Sequence, residues 1–156
     1  MRMTAAAQGA IARRYQIAAE GVPVAEINFP ALGPSTASPI AGRTYRLRRV
    51  GVLRERLTLE PDAAGARAVA SATQRDPLRR DFAVELGDRH LRLRAASPLR
   101  SEYLLLDGAQ TIGAVRPAGA LRHDAEADLP DDLPLEARIF ILWVVLLLWR
   151  RRRITA

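Results

Sequence analysis

The sequence predicts a mainly β protein: antiparallel strands closed into a β-barrel around one hydrophobic C-terminal α-helix. Three observations lead there. Short apolar runs recur about every ten residues from Tyr15 to Val115, broken by Gly, Pro, Asp and Asn, which is the spacing of a sandwich or barrel. A shift of 46 residues lays one set of runs on another. Finally, Ile139 to Trp149 is eleven apolar residues without interruption, too uniform for a helix with a solvent face.

The elements follow in chain order. Residues 1–14 are mostly alanine, with no leucine-rich stretch of the kind a secretory signal needs, and are expected to form a flexible arm. Residues 15–156 are expected to form the single domain. Arg14 to Ile17 and Val22 to Ile27 flank Glu20-Gly21, a hairpin turn signal. Pro30 to Gly42 carries three prolines and two glycines without periodicity and reads as a loop. Tyr45 to Arg48 and Arg56 to Glu60 alternate apolar with polar, as half-buried strands do. Phe82 to Leu86, Gly87-Asp88 and Leu91 to Arg94 form the clearest hairpin. Tyr103 to Leu106, Asp107-Gly108 and Thr111 to Val115 form another, the Asp-Gly pair supplying the positive φ of a tight turn.

The 46-residue shift superposes Arg46-Leu47-Arg48 on Arg92-Leu93-Arg94, Leu53-Arg54 on Leu99-Arg100, Leu59 on Leu105, and Ala68-Val69 on Ala114-Val115. One offset through four segments points to a duplicated β-meander. The final element is a helix over about 134–152. Pro134 suits its first turn, acids precede it, and Arg150 to Arg153 follow it, complementing the macrodipole. Its eleven apolar residues rise about 16 Å, roughly half of a bilayer's hydrocarbon. Extension backwards would place Glu136 and Arg138 in lipid. A helix threaded through the barrel satisfies both its own apolar surface and the inner faces of the strands; a tail anchor is the alternative.

Composition excludes several kinds of chemistry. The chain has 156 residues, a formal charge of +7, no cysteine and two histidines. Disulfide, thiol and cofactor chemistry find no material here, and no metal site or cofactor is expected. No serine sits in a nucleophile elbow, and there is no phosphate loop. Asp124, Glu126 and Asp128 fall at the first three ligand positions of a calcium loop, but Leu129 and Leu135 stand where Gly and Glu are required. No catalytic residue is assigned, and His123 reads as a solvated loop histidine.

From Tyr15 onward the chain resembles the tubby C-terminal-like superfamily, which includes phospholipid scramblases and LURP-one-related proteins. The resemblance rests on the repeated hairpins, the Gly42-Arg43-Thr44-Tyr45-Arg46 strand opening and Asp128-Leu129-Pro130 leading into Leu133-Pro134-Leu135. The terminal run from Phe140 to Arg150 completes it. It implies a twelve-stranded barrel enclosing a hydrophobic helix, and phosphoinositide binding of the kind tubby domains perform. No head-group residue of that family can be matched to a position in this chain.

Arginine carries the functional expectation. All 24 basic residues are arginine, a bias that coding composition also produces. Alternation places Arg46 and Arg48 on one strand face, with Arg92 and Arg94 matching them in the second repeat, and these four are the candidate lipid- or phosphate-binding residues. Arg54, Arg56, Arg79 and Arg80 add to the positive surface. Arg150, Arg151, Arg152 and Arg153 are candidates for membrane or partner contact, or for holding the helix end at the barrel mouth. With few exposed aromatics, nucleic acid is not expected as a partner. The expected function is a non-enzymatic binding or scaffold module, cytoplasmic and peripheral at an anionic membrane. The alternatives are a protein-interaction module or accessory subunit, and a tail-anchored protein.

Overall fold

The computed structural model describes residues 1–8, 13–29, 35–51, 55–76, 80–119 and 124–155, with side chains as far as Arg152. Twelve strands run β1 (Arg2–Gln8), β2 (Arg14–Ala19), β3 (Val22–Asn28), β4 (Ser35–Ile40), β5 (Arg43–Val50) and β6 (Arg56–Pro61) through the first half. The second half holds β7 (Ala70–Asp76), β8 (Asp81–Leu86), β9 (Arg89–Ala95), β10 (Tyr103–Asp107), β11 (Gln110–Pro117) and β12 (Ala125–Asp128). Each pairs antiparallel with its chain neighbour, and β1 pairs with β12 to close the barrel. One helix, α1 (Leu135–Thr155), follows.

Alternation sends one face of each strand inward. Tyr45 and Leu47 of β5, Leu57 and Leu59 of β6, Phe82 and Val84 of β8, and Leu91 and Leu93 of β9 are buried. Twelve strands spaced about 4.8 Å apart and tilted about 40° close to a radius of ~12 Å. That interior holds one helix with its side chains interleaved among those of the wall. The helix fills it: Ile139 to Leu146 are each at most 3% exposed, and eight successive residues sample every face of a helix. They share one continuous core with the inward strand residues. Among the described residues no helix is long and apolar enough to cross a membrane. The barrel is apolar inside and carries Arg, Glu and Thr outside, the reverse of a membrane-spanning barrel.

Two segments differ from expectation. The alanine-rich N-terminal stretch is not a flexible arm, because Arg2–Gln8 forms β1 and bridges β2 and β12. Alanine is a weak strand former, but β2 and β12 would each present an open edge without it, and Met3 and Ala5 are fully buried. The segment read as a loop from Pro30 to Gly42 contains β4, with Ser38 and Ile40 inward. Pro39 is tolerated because the ladder from β4 to β3 is reduced to the single pair Ala25↔Ile40.

The turns refine the hairpins. Glu20 and Gly21 both take positive φ, 49° and 82°, as a two-residue type I′ turn requires. Asp107 instead ends β10, paired with Gln110, so Gly108-Ala109 makes the turn with Gly108 at φ 60°.

The duplication holds in register over three strands. The 46-residue shift carries β4 onto β8, β5 onto β9 and β6 onto β10, matching inward Ile40 with Leu86, Leu47 with Leu93 and Leu59 with Leu105. It ends there, because Val69 is 37% exposed and Val115 is fully buried. Leu53 and Arg54 lie outside the described residues.

Candidate functional site

Because α1 begins beside the start of β1, where the Met1 amine donates to the Leu129 carbonyl at 3.0 Å, strand direction sorts every connection. The odd-to-even connections, such as β5–β6 and β9–β10, lie with the helix C-terminus at one end, the mouth. The even-to-odd connections lie with the helix N-terminus at the other end, the base. The two ends carry opposite charge. Glu20, Asp62, Asp88, Asp107, Asp128, Asp131, Asp132 and Glu136 gather at the base, against Arg2, Arg43, Arg67, Arg89, Arg138 and the Met1 amine. At the mouth stand Arg13, Arg14, Arg49, Arg56, Arg75, Arg80, Arg94, Arg100, Arg116 and Arg150 to Arg152, against Glu26, Glu55, Asp76, Asp81, Glu102, Asp124 and Glu126. A strand of about six residues tilted about 40° separates the ends by roughly 15 Å.

The four arginines expected to form a lipid patch are not brought together. They lie on the outer wall, but β5 and β9 are four positions apart in a ring of twelve strands, a third of the circumference. No flat surface meets both. Arg46 contacts Asp62 at 3.2 Å, Arg48 contacts Glu60 at 3.4 Å and Arg92 contacts Asp81 at 2.7 Å. Each of those charges is therefore offset locally, and the Asp81 carboxylate raises the pKa of Arg92 through this bond. Arg94 is exposed near the mouth.

The C-terminal arginines divide. The Arg151 guanidinium meets both oxygens of Glu55, which also accepts Arg49 Nε at 3.1 Å. Arg150 stacks over the Phe29 ring at 4.6 Å. Trp149 Nε1 donates to the Ser101 carbonyl at 2.7 Å. These contacts fasten the helix end to three different connections of the mouth, and cations there suit the negative end of the helix dipole. Arg152 is exposed, and the side chain of Arg153 lies outside the described residues.

What the sequence left ungathered is the rim, of which only Arg56 was counted above in the positive surface. Arg13, Arg56, Arg75, Arg100 and Arg116 are all exposed at the mouth, and among the described residues none has a carboxylate within ion-pair distance. A signal for them existed: in an up-and-down barrel, every second connection shares an end, and these residues border the odd-numbered ones.

The carboxylates considered for calcium serve the barrel seam instead. Asp124 Oδ1 accepts the Ala7 N–H at 2.8 Å, Glu126 lies 3.7 Å from Arg2, and Asp128 lies 3.7 Å from the Met1 amine. Among the described residues no three His, Cys, Asp or Glu side chains converge as metal ligands. His123 is outside the described residues.

Fold and site together define a class: a closed barrel filled by its own C-terminal helix, polar on the wall, basic at one end and acidic at the other. No family model, curated protein or solved structure matches the chain.

Proposed function

We propose that this protein is a non-enzymatic binding or scaffold module that docks end-on to an anionic membrane surface through the basic mouth of its barrel. The charge division between the ends carries this reading. Among the described residues Arg13, Arg56, Arg75, Arg100 and Arg116 form no ion pair, although Glu126 stands across the ladder from Arg116, and a negative surface attracts the mouth while repelling the base, which orients the approach. Such a protein works in the cytoplasm and is peripheral at the membrane. Relation to the tubby-like superfamily, with its scramblase and LURP-one-related members, is also a proposal, supported by architecture alone: twelve antiparallel strands around a C-terminal helix.

Co-sedimentation with vesicles of phosphatidylcholine containing about a third phosphatidylserine tests it. Each arginine near the surface contributes on the order of 1 kcal/mol, so glutamine at the five rim positions removes most binding, whereas Arg46→Gln with Arg48→Gln leaves it nearly unchanged. Equal losses in the two variants, or no binding by the unmodified chain at about 50 mM salt where screening is weak, would replace this reading with a protein-interaction module or accessory subunit.

A further inference from the structure

We infer that Leu99 is an apolar anchor that enters the lipid interface when the mouth docks, so that attachment has a hydrophobic component besides the electrostatic one. The inference rests on the membrane reading above and names how that same end engages its surface.

Leu99 is 93% exposed, the most exposed large apolar side chain among the described residues. An isolated exposed leucine is ordinary on a protein surface; its mounting is what sets this one apart. Ser97-Pro98-Leu99-Arg100 is a β-turn. The Arg100 N–H donates to the Ser97 carbonyl at 3.3 Å and to Ser97 Oγ at 3.1 Å, with Pro98 in the position that favours its fixed φ. Beneath it, Arg80 Nη2 donates to the carbonyls of Ser97, Pro98 and Arg100 at 2.9, 3.1 and 3.3 Å. The Ala96 N–H donates to the Glu102 carbonyl at 2.8 Å, and Trp149, at the end of the central helix, holds the carbonyl of Ser101.

The backbone under Leu99 is thus tied to both the wall and the core. A loop held this firmly loses little entropy when it binds, and it offers its one large apolar side chain outward rather than folding it back. Arg100 is the next residue, and the surrounding rim is basic. An apolar tip framed by cations matches the boundary between anionic head groups and acyl chains, where buried apolar area and charge attraction add.

The chain has no cysteine, so Leu99→Cys in the full-length protein creates a single site for a polarity-sensitive fluorophore. With phosphatidylserine-containing vesicles, the label at 99 is expected to shift to the blue and brighten. The same label at Val22→Cys, exposed at the start of β3 at the base, is expected not to respond. Leu99→Asp should retain the melting temperature of the parent while losing about tenfold in vesicle affinity, and the binding that persists at physiological salt should be the part that disappears. If the protein co-sediments but the label at 99 stays in a polar environment, insertion is wrong and the electrostatic reading stands. If the unmodified protein does not co-sediment at all, both are wrong.

Discussion

Arg92 donates through Nη2 to Asp81 Oδ2 at 2.7 Å across the β8–β9 pair, and 46 residues earlier Arg46 donates through Nη1 to Ser35 Oγ at 3.3 Å across β4–β5. The two contacts run along the same diagonal of equivalent strand pairs, since Asp81 faces Arg94 and Ser35 faces Arg48. The duplication therefore extends from the buried faces to the outer wall, with the acceptor changed from carboxylate to hydroxyl.

Asp81→Ser converts the Arg92 contact into one of the Arg46–Ser35 kind. A charge-assisted bond becomes a neutral-acceptor one, so a loss of about 1 kcal/mol is expected. Urea denaturation read at an unchanged slope measures it.

Leu146 is fully buried in the middle of the enclosed helix. Leu146→Asp places a carboxylate among the apolar side chains of the core, at a cost of several kcal/mol, comparable to a small domain's whole stability. Its melting temperature should collapse, and truncation at Leu133 should yield aggregate, because the barrel then lacks the side chains that fill it. A soluble, folded truncate would overturn the central role of the helix.

Gly113 sits at the irregular register of β10 and β11, opposite Leu105. A Cβ there would come within 2.8 Å of the Asp128 carbonyl and 3.2 Å of the Leu129 side chain. Gly113→Ala must push β12 aside, and a loss of about 1–3 kcal/mol is expected. Thermal melting beside a Gly119→Ala control, where nothing stands within 4 Å, reads the difference.

Burial pushes the Tyr103 phenol above its ordinary pKa, with the Arg80 charge pulling the other way. The folded state keeps this proton after the unfolded chain, at about pH 10, has begun to lose it. The native form then binds more protons than the unfolded one, so stability falls as the pH climbs from about 10 through the raised value. Denaturation midpoints at pH 9 and pH 11 should differ less for Tyr103→Phe than for the parent.

The hairpins from β5 to β6 and from β8 to β11 were legible because their inward residues are Leu, Val, Phe and Tyr alternating with Arg and Glu. β1, β7 and β12 were not. Their inward residues include Ala5, Ala70, Ala72, Ala125 and Ala127, and alanine barely marks a face. The helix backbone comes closest to β7, so small side chains there reflect space that the helix already occupies. β4 was hidden by Pro39 and by prolines on its approach.

The rim shows the same division from the functional side. Alternation along a strand assigns a residue to the inner or outer wall, and that much was read correctly for Arg46, Arg48, Arg92 and Arg94. Which outer residues share a flat surface depends on how far apart their strands lie around the ring, and this separates the two pairs by a third of a turn.

The amino-acid order by itself determined the class of fold, the presence of an enclosed helix and the repeat, because periodicity and uninterrupted hydrophobicity are properties of local sequence. Only the closed barrel decided the rest. Closure recruited an alanine-rich segment as the joining strand, since two open edges had to be paired. It also gathered residues distant in sequence, from Arg13 to Arg116, at one end, since antiparallel order returns every second connection there.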